Sequence, residues 1–388
     1  MEGNDNMHID NVREMIKNGE NLHIEFKEKI SNGFIEEIVA FLNTEGGVIL
    51  IGVSDDKNII GIETGLEEKV INICRDAIFP SFIPKYQEFE LEGKRLGVLN
   101  VEKGRNKPYY TKNDKYYIRV GSAKRIASKD ELLRLFEAGG LYHYDVSAVE
   151  STGIRDIYLD EVRDFFLEFN SFDIMDEEKQ MQEKILVNAD ILKSNELKIN
   201  ATVGGLLIFG KKPQDILFQS GISFAHFNGN DITEELIDKK EIVGRMKDVI
   251  EQTMTVIKNN LVVRSKIVEA KRVEHVEFND IVIREALVNA LVHRNYSIIG
   301  SKIRIFLFDD RIEYRSPGRI PNTVTLEKMK IGVSYSRNPF LVKYMENMRY
   351  IDKLGRGIPM IFAHMKKMGK REPKMEMVGE EFILTLYR

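Results

Sequence analysis

The chain has no tryptophan, one cysteine, nine prolines and no apolar run of the roughly 18 residues that a membrane helix needs. Each shortage excludes something. A lone Cys74 rules out intramolecular disulfides, and its place in EEKVINICRDAIF, a stretch of helical period, reads as a small buried hydrophobe rather than a nucleophile. The opening MEGNDNMHIDNVREMIKNGE lacks the basic-then-apolar order of a signal peptide, so a cytoplasmic setting and no membrane partner are expected. Positive charge is short as well. A net charge of −4 argues against a protein that coats nucleic acid over its whole surface, while leaving local basic patches open. With 43% hydrophobic and 30% charged residues the chain is too apolar for disorder, and at 388 residues it exceeds a single core, so two or three domains are expected.

The periodicities predict an α+β protein. HIDNVREMIKNGE reads as a helix ending near Gly19, NLHIEFKEKI alternates as a strand, and NGFIEEIVAFLNTEGG is helical up to a stop at Gly46-Gly47. VILIGV is the continuous apolar run of a strand buried on both faces. EFELEGKRLGVLNVEKG predicts a hairpin turning at Glu92-Gly93, and YYIRVGSAKRIAS closes the unit before the helix KDELLRLFEAGG. A mixed α and β domain over 1–140 is expected, then a middle connecting region over 141–274 with its own core, then a domain over 275–388. In the middle region NATVGGLLIFGKKPQDIL is an apolar helix or strand, GISFAHFNG a strand and ELIDKKEIVGRMKDVIEQTMTVIKNNL one long helix. Beyond it, IVIREALVNALVHRNY is a helix, SKIRIFLFDDRIEYRS a hairpin turning at Asp309-Asp310, and RNPFLVKYMENM a further helix.

Two groups of residues carry chemistry. In ENLHIEFK, Glu20 precedes a strand on which Glu25 and Lys27 share a face, and Asp55 follows the buried strand. If the strands are neighbours, three carboxylates could hold Mg²⁺ or Mn²⁺, activate water and cut a phosphodiester, with Lys27 offsetting charge; otherwise they are solvated strand-end acids. Further on, Lys103, Arg105, Lys107, Lys112, Lys115, Arg119, Lys124 and Arg125 face a single acid, Asp114, with tyrosines 109, 110, 116 and 117 between them. Basic residues bind phosphates and rings stack on unpaired bases, so this stripe reads as a nucleic-acid surface or as a hairpin with core tyrosines. We single out Lys112, Lys115, Tyr117, Arg119, Lys124 and Arg125 as candidate contacts.

ENLHIEFK, FLNTEGGVILIGVSDDKNIIGIE and YYIRVGSAKRIAS together resemble the Schlafen AlbA_2 domain, also known as a divergent AAA-4 domain, over about residues 10–135. The resemblance implies nucleic-acid binding, of DNA and of RNA in some relatives, where a metal-dependent nuclease would use Glu20, Glu25 and Asp55. It also implies a transcriptional regulator.

In REALVNALVHRNY, Glu285 and Asn289 stand four apart on one helix face, and Gly318, Gly355 and Gly357 lie in RSPGRIP and DKLGRGIP. A carboxylate that orients water, an amide on Mg²⁺ and glycines that admit phosphate would suit ATP, while Gly355 also suits a helix C-cap. In this order the pieces resemble the GHKL ATPase-like module found at the C-terminus of RecG-like proteins, over about residues 275–380. That resemblance implies an α/β sandwich, ATP and Mg²⁺ as cofactors, Glu285 as the water-activating acid, Asn289 as metal ligand and the three glycines as nucleotide loops. Where those proteins carry an adenine-reading Asp, this chain has Ser316, so ATP or another nucleotide stays open. His293 and Arg294 are candidates to reach phosphate, with a surface histidine as the alternative. Both families often self-associate, which implies a homo-oligomer.

Overall fold

The apolar run at 48–51 is continuous because its strand is covered on both sides. The computed structural model describes residues 8–31, 33–195, 198–261, 264–268, 271–275, 278–320, 324–351 and 355–388. It divides into two compact units, Met1–Tyr142 and His143–Arg388, each mixing helices and sheets. Among the described residues no helix is long and apolar enough to cross a membrane.

The first unit opens with α1 (Ile9–Asn18), which stops at Gly19, where φ is +79°. β1 (Ile24–Lys27), α2 (Phe34–Asn43) and β2 (Gly47–Ile51) follow, then α3 (Leu66–Ala77), β3 (Ile78–Phe79), β4 (Lys85–Leu91) and β5 (Lys94–Val101). The four-stranded sheet runs β1-β2-β5-β4, with β1 parallel to β2 and the other pairs antiparallel. Ile49, Ile51, Leu99 and Val101 pack with α2 and α3 on one face; Phe26, Leu50, Leu96 and Val98 pack with Val12 of α1 on the other. Alternate residues of β2 thus enter different cores, which is why the run shows no polar alternation. The unit ends with β6 (Tyr110–Thr111), the hairpin β7 (Tyr117–Val120) and β8 (Ala123–Ile126), and α4 (Lys129–Ala138), which begins in a Ser128/Glu131 capping box.

α2 runs to Asn43 and stops at Gly46 as expected: Gly46 has φ +78° and its amide donates back to the Phe41 carbonyl at 3.0 Å. Beside this turn the Lys107 ammonium donates to the carbonyls of Asn43 (2.7 Å) and Thr44 (2.9 Å).

The second unit begins with α5 (Leu159–Asn170), α6 (Lys179–Asn188), the hairpin β9 (Leu192–Asn195) and β10 (Lys198–Ala201), α7 (Val203–Phe209) and α8 (Pro213–Ile216). Next come β11 (Ile222–Phe227), β12 (Leu236–Ile242), α9 (Met246–Asn260), the pair β13 (Arg264–Val268) and β14 (Lys271–His275), and α10 (Asp280–Val292). β15 (Ile303–Leu307), β16 (Arg311–Pro317), α11 (Leu326–Lys330), α12 (Pro339–Asn347), α13 (Gly357–Lys367), β17 (Lys374–Val378) and β18 (Glu381–Tyr387) complete it. Its main sheet has the order β12-β11-β15-β16-β18-β17, in which only β11 and β15 pair in parallel.

This arrangement corrects two expectations. Residues 141–274 do not form a separate middle core: β11 lies inside the C-terminal sheet, and one hydrophobic core runs from Ile157 to Leu386. The single long helix expected over 235–261 is a strand and a helix, β12 and α9, parted at Gly244 with φ +132°. A helix there would have left β11 with an unpaired edge, and β12, with only Ile242 buried, is the sheet's exposed border.

Candidate functional site

Sheet and helices of the second unit enclose a cavity of about 530 Å³. α10 brings Glu285 and Asn289 to its wall, β16 brings Tyr314 and Ser316, the turns bring Gly318 and Gly355, α13 opens at Gly357, and β18 adds Phe382 and Leu384. Five residues that the sequence set apart therefore meet in one place. Asn289 Nδ2 donates to Glu285 Oε1 (2.9 Å) and to the Glu285 carbonyl (2.7 Å), which commits its amino group and turns the amide oxygen to other uses. A Cβ on Gly357 would meet Glu285 Oε1 and stand 3.0 Å from Asn289 Nδ2, so α13 begins directly against the two polar side chains of α10. Gly318 (φ +126°) and Gly355 (φ +68°) hold backbone that side chains rarely adopt. Gly355 does not cap α12, which ends at Asn347; it backs onto the carbonyl of Gly332.

The electrostatics favour an anion with an apolar part. Among the described residues that line the cavity Glu285 is the only carboxylate, against Arg319, Arg337 and Lys343. The Ser316 hydroxyl is committed as a donor to the carbonyl of Ala290 at 2.8 Å. The hydroxyls of Tyr314 and Ser336 are buried with no hydrogen-bond partner among the described residues. His293, at the end of α10, lines the cavity and is no surface residue; burial first and Arg337 second push its imidazole down to about 4, so it is neutral near pH 7. Arg294 does not reach the cavity. It is fully buried and donates to the carbonyls of Asn295 (2.7 Å), Ile298 (2.7 Å) and Ser301 (2.5 Å), pinning the segment between α10 and β15.

The first unit treats its candidates differently. β1 and β2 are neighbours, as the acidic site requires, but Glu20, Glu25 and Asp55 do not converge: among the described residues no three acidic, histidine or cysteine side chains form a metal-holding group. Glu20 Oε1 accepts from the Phe26 amide at 2.9 Å, Asp55 is exposed in a turn, and Glu25 is buried in ion pairs with Lys27 and with Arg119 (2.7 Å). A carboxylate already matched by two cations has little affinity left for a third.

Arg119 is 3% exposed and cannot present itself to phosphate. It also donates to Glu37 (3.1 Å) and to the carbonyls of Asn21 and Ile24, and stacks 4.4 Å over Phe41. Sequence reading missed Glu37, on the apolar face of α2 between Phe34 and Phe41, where a carboxylate is out of place; that was the signal. Burial raises its pKa while Lys124, 2.7 Å away, works against the rise. Tyr117 is buried too, its hydroxyl donating to Glu36 at 3.0 Å. Lys112 and Lys115 remain exposed, and Arg125 is half-exposed in a bidentate pair with Glu131. Beside them, Tyr110 stacks on Phe79 with ring centroids 5.7 Å apart, and Tyr116 lies 5.3 Å beyond.

Comparison with known proteins agrees with the two-module architecture. Residues 20–128 match the family model described as Schlafen, AlbA_2, and residues 300–386 match the one described as putative ATP-dependent DNA helicase recG C-terminal. The second match contains Gly318, Gly355 and Gly357 and begins after Glu285 and Asn289. Among solved structures the chain is similar to the DIP2311 protein from Corynebacterium diphtheriae, at 18% identity and a TM-score of 0.49, over 98% of this chain and 80% of that one. It is also similar to the N-terminal domain of a putative ATP-dependent DNA helicase RecG-related protein from Nitrosomonas europaea, at 22% identity and a TM-score of 0.24, over 30% of this chain and 88% of that one. No curated protein matches.

Proposed function

We propose that the second unit binds ATP with Mg²⁺ and that the first unit binds nucleic acid, in a cytoplasmic, self-associating regulator of transcription. The observation that carries this reading is the cavity itself. Its volume is in the range of ligand sites, it joins Glu285, Asn289 and three glycines to apolar walls, and its cations outnumber its acid. The match to a domain named for an ATP-dependent DNA helicase supports the same reading.

In this reading the Asn289 amide oxygen meets the cation, and Arg337, Lys343 and the N-terminal turn of α13 take the phosphates. Glu285 orients a water toward the terminal phosphate if hydrolysis occurs. Mg²⁺ would supply charge neutralisation there. Titration calorimetry of the full chain with ATP and Mg²⁺ should give saturable binding that Asn289→Ala weakens; no heat and no thermal shift at millimolar ATP would end the proposal.

Nucleic acid would meet the first unit at Lys112, Lys115 and Arg125 beside Tyr110 and Tyr116, since Arg119 and Tyr117 are internal. A gel shift on genomic fragments tests this, and absence of binding at low salt would refute it.

A further inference from the structure

Four tyrosines of the basic stretch come in two pairs, 109–110 and 116–117, and the fold divides each pair. Tyr109 and Tyr117 enter the core beside α2, while Tyr110 and Tyr116 stay half-buried at the surface. There they join a row of rings drawn from separate elements. Phe79 of β3 stands opposite Tyr110 of β6 in the strand register and stacks on it, with centroids 5.7 Å apart and planes 26° apart. Tyr116 lies 5.3 Å from Tyr110, and Phe136 of α4 a further 6.3 Å on. None of the four belongs to either hydrophobic core of the unit, and Phe79, at the end of the row, is 39% exposed. Core packing does not account for them, and a ring with a face in water is a platform for another flat group.

The charges beside the row say which flat group. The turn from Tyr110 to Tyr116 carries Lys112 and Lys115, both exposed, against Asp114 alone. Its backbone is held: the Thr111 amide donates to the Lys115 carbonyl (3.0 Å) and the Asp114 amide to the Thr111 carbonyl (2.9 Å). The Lys112 amide donates to the carbonyl of Ala77 (3.2 Å), two residues before Phe79. Two cations are thus set beside the rings, an arrangement suited to a strand whose bases lie on the rings and whose phosphates meet the lysines. A duplex keeps the faces of its bases stacked inside and offers this surface phosphates alone.

We propose that this row is a stacking platform for single-stranded DNA, with Phe79 and Tyr110 taking unpaired bases and Lys112 and Lys115 the adjoining phosphates. This rests on the nucleic-acid reading above and names the form of strand preferred. In a regulator of transcription that strand is DNA, and stacking asks nothing of the 2′-hydroxyl that RNA adds.

The test is fluorescence anisotropy of the full-length protein with a labelled mixed-sequence DNA strand, its blunt duplex and the RNA of the same sequence, each over a salt series. Wild type should bind the strand at least about tenfold tighter than the duplex. Phe79→Leu, which keeps an apolar side chain and removes the flat face, should weaken the strand by about five- to a hundredfold, with the salt slope and the duplex affinity as in wild type. Phe218→Leu, at an exposed ring of the second unit, is the control and should bind as wild type does. Equal affinity for strand and duplex, an unchanged strand affinity in Phe79→Leu, a loss shared by strand and duplex, or RNA bound more than about tenfold tighter than DNA would each overturn the platform while leaving nucleic-acid binding intact. If wild type binds none of the three at low salt, the nucleic-acid reading fails first and the platform with it.

Discussion

Arg119, Lys107 and Lys112 are alike in the sequence, three cations in one basic stretch, and burial gives them different work. Lys107 closes α2, Arg119 neutralises Glu25 and Glu37, and Lys112 faces water. Composition can count such residues but not sort them, because sorting depends on which carbonyls and carboxylates the fold brings near. Removing Arg119 leaves two buried carboxylates short of a cation, so Arg119→Ala should cost about 3–5 kcal/mol in urea unfolding. A loss under about 1 kcal/mol would show that water reaches this cluster. Gly357, by contrast, was legible, since its place in a glycine-rich turn already pointed to close approach. Gly357→Ala would push the Glu285 carboxylate and the Asn289 amide aside at little cost in a helical position; we expect a Tm near that of wild type and a weakened calorimetric signal with ATP.

Elements with a strong period were readable and elements set by their neighbours were not. The helix over Asp280–Val292 and the hairpins turning at Glu92-Gly93 and Asp309-Asp310 follow from local pattern, whereas the apolar run that became the helix Val203–Phe209 suited a strand as well. β12 does not: its ELIDKKEI carries charges that suit a helix face, and only the free edge of β11 makes it a strand. A second element-level contact also has no local signal. Asp145 accepts from the amides of Phe340 (2.8 Å) and Leu341 (3.2 Å) at the start of α12, and His143 Nδ1 contacts the Arg337 carbonyl at 3.2 Å. The first residues of the second unit are thus fastened to the segment that walls the cavity.

Burial raises the Asp145 carboxyl to about 6, against the opposing pull of the two amides and of His143. Folding therefore favours its protonated form. That stabilisation is complete below the usual value of 3.8 and is lost as pH rises to about 6. Asp145→Asn, neutral throughout and of the same shape, should gain on wild type by about 3 kcal/mol between pH 4 and 6.5, read as diverging Tm curves. Parallel curves would mean that Asp145 titrates alike in both states.

At the scale of the whole molecule the acidic balance and the basic stretch are compatible because few cations face outward at one place. The expected signature is a modest dependence on salt. Lys112→Ala with Lys115→Ala should lower the slope of log K against log salt by about two, with Tm unchanged. An unchanged slope would move the contact elsewhere. The presence of two modules was readable in ordered motifs, whereas the merging of residues 141–274 into the second core was not, because pairing between distant strands leaves no periodic trace in either.

That distant pairing also governs time. Ile222 of β11 lies beside Ile303 of β15, so strands far apart in the chain must find each other before the sheet behind the cavity exists, and such non-local closure is slow. A nucleotide whose binding needs walls from α10, β16 and β18 at once has nothing to hold until that search is over. It cannot hasten assembly; it can only resist opening. Saturating ATP should therefore lengthen the lifetime of the folded second unit in denaturant and leave its refolding rate as it was.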